Sequence, residues 1–164
     1  MMLILVCGLQ GTGKTTVAKR IAEDTKSVLL STDMIRKGIL EEPGYTEKER
    51  EMIYNLLFEM AEKLLSSGNS VVLDGTFYRK KLRDRVKKIA KKAKSDFHMV
   101  EVKCSEEIIR KRMKERKKEE TGSDADFEVY RKAKKQFEPI REKHVVIRTE
   151  KGDWGPVEEF LKTI

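Results

Sequence analysis

The stretch Gly8-Leu9-Gln10-Gly11-Thr12-Gly13-Lys14-Thr15 follows the continuous apolar run Leu3–Cys7 and precedes a helical stripe, Val17–Ile21. It reads G-x-x-x-x-G-K-T, and a strand before it with a helix after it is the context that motif requires. The spacing has a physical basis. Glycines let backbone N–H groups turn inward on an anion with no Cβ in the way. A helix starting near Gly13 adds the positive end of its dipole. Lys14 brings a cation to the β- and γ-phosphates of a nucleotide, and the Thr15 hydroxyl is a ligand for Mg²⁺. The residues expected around ATP are therefore Gly8, Gln10, Gly11, Thr12, Gly13, Lys14, Thr15 and Thr16. The motif speaks for nucleotide binding and leaves the reaction open. No Asn-Lys-x-Asp guanine-reading motif is present, which argues against a GTPase.

Working outward, apolar runs alternate with amphipathic segments. The further strands are expected at Ser27–Leu30, Ser70–Leu73, Phe97–Val102 and His144–Ile147. Continuous rather than alternating hydrophobicity suits strands buried on both faces, as in a parallel sheet. Met52, Leu56, Met60 and Leu64 repeat at helical spacing after Thr46 and Glu49, which are spaced as a capping box. Leu82, Val86, Ile89 and Ala93 mark another stripe, and Phe127, Tyr130, Ala133 and Phe137 a third, ended by Pro139. Pro156 opens a last short helix. This alternation predicts a three-layer α/β domain over residues 1–164, with ligands at the C-terminal edge of the sheet.

Composition narrows the class. The chain has 164 residues, 38% hydrophobic and 39% charged, with a formal net charge of +8. The charged share exceeds the roughly 25% of an average globular protein. An anionic partner fits that excess, and so does a heat-adapted source. The longest apolar run, Met1–Cys7, is far short of the roughly 20 residues a membrane helix needs, and it lacks a basic leader. Cys7 and Cys104 read as buried small hydrophobes of a reducing, cytoplasmic protein. His98 and His144 stand apart, with no cluster of metal-ligand spacing. Neither a membrane partner nor an obligate protein partner is indicated.

Other strand ends carry the remaining candidates. Ser31-Thr32-Asp33-Met34-Ile35-Arg36 follows the second run. A carboxylate there faces the γ-phosphate across the crevice, where a general base must lie to accept a hydroxyl proton. Arg36 falls on the same side if a helix starts after Asp33, and it is a candidate to hold the acceptor; the bland alternative is that Asp33 only caps that helix. Asp74 ends the third run, where its carboxylate reaches Mg²⁺ through water, orients Arg36 or merely forms a turn. After the fourth run, Arg112 and Arg116 lie one helical turn apart in a basic stretch, able to close from a lid at about residues 105–126. The segment Arg79–Lys94 holds ten Lys and Arg against Asp84. Most of it reads as solvated surface; Arg79 and Arg83 lie nearest the edge, within reach of an anionic acceptor, and a nucleic-acid track is an open alternative.

The stretches GLQGTGKTT, STDMIR, VVLDGTFYRKKLR, CSEEIIRKRMKER and SDADFEVYRKAKKQFEP together resemble small P-loop kinases. The group includes polynucleotide 5′-hydroxyl kinases, zeta toxins and gluconate kinases. The resemblance implies a parallel five-stranded sheet in order 2-3-1-4-5 with a helical lid. It implies ATP and Mg²⁺ at Lys14 and Thr15, Asp33 as general base, Arg36 on the acceptor and Arg112 and Arg116 as lid arginines. It also implies an adenine-lining role for the loop Arg148–Asp153. The expected activity is transfer of the γ-phosphoryl group to a hydroxyl, with an RNA, DNA or nucleotide 5′-hydroxyl favoured. A sugar or sugar-acid acceptor, a nucleoside monophosphate kinase and an ATP-dependent RNA-binding switch are the alternatives. The sequence Thr76-Phe77-Tyr78-Arg79 departs from the Phe-Pro-Arg that follows Asp-Gly in monophosphate kinases.

Overall fold

The computed structural model describes residues 1–117 and 125–164; the side chains of 116, 117, 125 and 126 also lie outside that description. Its strands are β1 (Met2–Cys7), β2 (Val28–Ser31), β3 (Val71–Gly75), β4 (Asp96–Lys103) and β5 (Val145–Arg148). All pairings are parallel, in the order β2-β3-β1-β4-β5. The helices are α1 (Lys14–Asp24), α2 (Thr32–Ile39), α3 (Glu47–Ser66), α4 (Lys80–Lys92), α5 (Glu106–Lys117), α6 (Ala125–Gln136) and α7 (Gly155–Leu161).

Side-chain alternation along β1 explains its unbroken apolar run. Leu3, Leu5 and Cys7 face a core built with α3 and α4, through Leu57, Phe58, Val86 and Ile89. Ile4 and Val6 face the opposite core, made with Val17, Ile21, Val157 and Phe160 of α1 and α7. Both faces of the strand are covered, so no position tolerates a polar residue. In α3, Thr46 Oγ1 accepts from the Glu49 N–H at 3.1 Å and caps the helix.

Register levels the working edge. Ser31 pairs with Asp74, and Asp74 with Val6. The start of α2, the end of β3 and the loop between β1 and α1 therefore leave the sheet from one row.

Each expected strand is present, with its bounds shifted by one or two residues. Two shifts matter. Asp74 lies inside β3, not in a turn after it. Helix α2 begins at Thr32, with Ser31 at the cap position in an extended conformation, so Asp33 sits in the first turn and does not cap the helix. The expected lid about 105–126 falls partly on α5 and partly on 118–124, which lie outside the described residues.

Candidate active site

The loop between β1 and α1 is shaped by close approach. A Cβ on Gly8 would lie 2.5 Å from the Val102 carbonyl oxygen, closer than any real side chain comes. Gly13, at the cap of α1, takes φ +86°, a left-handed conformation that leaves the α1 N–H groups open. Thr12 Oγ1 donates to the Leu9 carbonyl at 2.7 Å and is buried within the loop. Lys14 is 9% exposed, and no described residue accepts a hydrogen bond from its ammonium. A buried cation with no partner among the described residues, beside open backbone donors, has the chemistry an anion would use. Gln10 and Thr16, also expected here, are exposed.

Thr15 and Asp74 meet. The Thr15 hydroxyl donates to Asp74 Oδ2 at 2.8 Å, while Asp74 Oδ1 is buried with no partner among the described residues. An orphaned carboxylate oxygen next to a hydroxyl suits a hydrated hard cation, so the pair fits Mg²⁺. Among the described residues no group of three or more His, Cys, Asp or Glu forms a metal cage. Mg²⁺ here would take most of its ligands from phosphate and water, as it usually does.

The second cluster is built on α2 and the start of α3. Arg36 is nearly buried and lies between two carboxylates: its Nη1 donates to Asp33 Oδ1 and its Nε to Glu49 Oε1, both at 2.9 Å. Asp33 is 63% exposed and Glu49 10%. Glu49 Oε2 also accepts from the Gly44 and Tyr45 N–H groups at 2.7 and 2.9 Å. Burial raises the Glu49 pKa, but these bonds and the Arg36 charge outweigh it and hold the carboxyl below its ordinary range. Tyr45, at φ +55°, lays its ring against the Arg36 guanidinium, 4.9 Å from centroid to carbon. Glu49 was legible only as a helix cap. Half of that capping box forms, and its carboxylate goes to Arg36 instead.

Arg112 reaches the rim of the phosphate loop. Nη2 donates to the Thr149 carbonyl at 2.7 Å, and Nη1 to Thr149 Oγ1 at 3.2 Å and to the Gly11 carbonyl at 3.4 Å. Thr149 Oγ1 in turn donates to the Thr12 carbonyl at 2.5 Å. The loop after β5 is thus tied to the loop after β1, and Thr149 falls within Arg148–Asp153, the stretch to which the resemblance assigns an adenine-lining role. The Arg116 side chain lies outside the described residues.

Arg83 corrects an expectation. It is fully buried and donates to the carbonyls of Phe77 at 2.7 Å and Glu138 at 2.9 Å, so it cannot contact an acceptor. Its place on the buried stripe with Val86 and Ala90 was the available signal. Arg79 stays at the edge, 3.1 Å from Glu47.

A family model described as an AAA domain matches residues 3–140. The chain belongs to this family. The AAA-domain chain is 33% identical over 117 residues to an uncharacterised protein of Mycobacterium tuberculosis; the match covers 63% of the chain. It spans only 23% of that relative, and the same holds for the other mycobacterial relatives that lead the curated matches. An adenylyl-sulfate kinase of Bacillus velezensis is 26% identical over 115 residues, covering 67% of this chain and 57% of that one. Among solved structures, a Chloroflexus aurantiacus protein whose own kinase assignment is provisional superposes with TM-score 0.79 at 20% identity, over 99% of this chain and 94% of that one. By family the chain is an AAA-domain protein, and its parallel strand order is the one expected for the P-loop kinase fold.

Proposed function

We propose that the chain is an ATP- and Mg²⁺-dependent phosphotransferase that moves the γ-phosphoryl group to a hydroxyl. One observation carries the reading: an exposed carboxylate, Asp33, is held by a nearly buried arginine on the same sheet edge as a loop whose buried lysine, Lys14, has no partner among the described residues. Asp33 takes the acceptor hydroxyl proton as the acceptor oxygen bonds to phosphorus. The bond from that phosphorus to the bridging oxygen breaks, and ADP leaves with that oxygen. Lys14 and the α1 N–H groups hold the phosphates in line. Thr15 and Asp74 would hold Mg²⁺, which would supply neutralisation of the phosphate charge. Arg36, with Nε and Nη1 engaged, acts on the acceptor chiefly through Asp33. Arg112 bounds the nucleotide site from the α5 side, and Arg116 on the same helix is the further lid arginine.

The favoured acceptor is the 5′-hydroxyl of a nucleotide or polynucleotide. Its support is the basic surface leading from the site; the similarity to an enzyme named for adenylyl sulfate supports a nucleotide acceptor without selecting its hydroxyl. The free thiols of Cys7 and Cys104 accord with a reducing, cytoplasmic setting. Incubation with γ-labelled ATP and a panel of 5′-hydroxyl RNA, DNA, nucleosides and sugars tests the reading. Label transferred to nucleic acid or nucleoside supports it. Label on sugars alone moves the acceptor to a small metabolite, and no transfer to any hydroxyl removes the kinase assignment.

A further inference from the structure

The formal charge of the whole chain is +8, while the ten basic residues of Arg79–Lys94 face the single acid Asp84. This one segment therefore holds the entire excess of positive charge, and the rest of the chain is close to neutral. A general solubility or heat-adaptation surface would intersperse the two signs. Segregation of this kind marks a partner of opposite charge.

The structure sorts these cations by flank. Towards α3, Arg85 donates to Asn55 Oδ1 and covers the Phe58 ring, and Lys92 pairs with Glu62. Lys80 pairs with Asp84 one turn along the same helix, and towards the segment after α6 both Lys80 and Lys87 reach Glu142. Between those flanks runs an outer ridge of Lys81, Lys88 and Lys91, all exposed. Among the described residues no carboxylate pairs with any of the three. Spacings of seven and three residues keep them on one side of the helix, roughly 10 and 5 Å apart along its axis. The apolar residues of α4 all turn inward, so the ridge offers nothing to enter a lipid surface. At its head, Arg79 stacks on Tyr78 and pairs with Glu47. Glu47 lies in the first turn of α3, two residues before Glu49, which holds Arg36 beside Asp33. The ridge thus begins at the acceptor edge.

We propose that the outer ridge of α4 binds the phosphate backbone of a single-stranded polynucleotide and leads its 5′ end towards Asp33. The direction of the strand rests on the proposed phosphotransferase reading; the binding surface does not. Tyr78, backed by Arg79, adds an aromatic face at the head of the track for a base to stack on.

The test is fluorescence anisotropy, without ATP, of a 3′-labelled, 5′-hydroxyl single-stranded RNA of about twelve nucleotides across a salt series from about 50 mM. The triple variant Lys81→Ala/Lys88→Ala/Lys91→Ala is expected to bind at least about tenfold more weakly. Its slope of log affinity against log salt should be shallower by about 2, at about 0.7 per lost phosphate contact. A control variant, Lys19→Ala/Lys63→Ala/Lys162→Ala, should match the wild type. Absence of RNA binding by the wild type overturns the proposal, as does a ridge variant that binds like the control. Competition by polyglutamate as strong as by unlabelled RNA overturns it too, as does binding to anionic vesicles without binding to RNA. Binding that depends on the ridge, with sugars alone phosphorylated in the acceptor panel, keeps the track and removes the proposed acceptor.

Discussion

Asp33 is the most exposed member of its cluster, and its geometry comes from a residue thirteen positions downstream of its own partner. Arg36 bonds Asp33, and Glu49 fixes Arg36. Asp33→Asn keeps the shape and removes the proton acceptor. Calorimetry should find ATP affinity unchanged in that variant, while single-turnover transfer falls by about 10²–10⁴. Transfer at the wild-type rate would take Asp33 out of the role of base. The Asp33-x-x-Arg36 pair was legible because three residues is one helical turn. Glu49 was not, because a Glu three residues after a Thr also describes a local cap. Where its carboxylate points depends on the path of Leu40–Tyr45, which carries no periodic signal.

The elements themselves were the most legible level. Each buried strand showed as an unbroken apolar run because the parallel sheet is covered on both faces. Helix bounds were read less well at α2, where Ser31 and not Asp33 takes the cap position. The start of α3 offers a clean measurement. Thr46 Oγ1 satisfies the Glu49 N–H. Thr46→Ala should therefore cost about 1 kcal/mol, a lowering of the melting temperature by roughly 2–4 °C in a calorimetric scan. A larger loss would mean that Thr46 also steadies the Gly44–Tyr45 turn and, through it, the Arg36 cluster.

At the scale of the molecule, long-range charge pairs tie α4 to the chain that leads into β5. Glu142 has its pKa lowered to about 2, chiefly by the hydrogen bond from Lys87. A carboxyl depressed in the folded state contributes stability that is complete above its ordinary value of 4.5 and is lost as the pH falls towards 2. Lys87→Met should remove that contribution. Acid titration by circular dichroism should find the variant unfolding at a higher pH than the wild type, with the two curves converging at the acid end. Identical curves would show that the pair adds nothing. The Lys87–Glu142 pair joins residues 55 positions apart, and no local pattern in the sequence announces it. The same holds for Arg83, one of ten similar cations in its segment, which alone is fully buried. Its two nitrogens button the turn after β3 to the stretch after α6. Undoing that button would leave the link between α6 and β5 slack, so a protease should clip an Arg83→Ala chain there well before it cuts the rest.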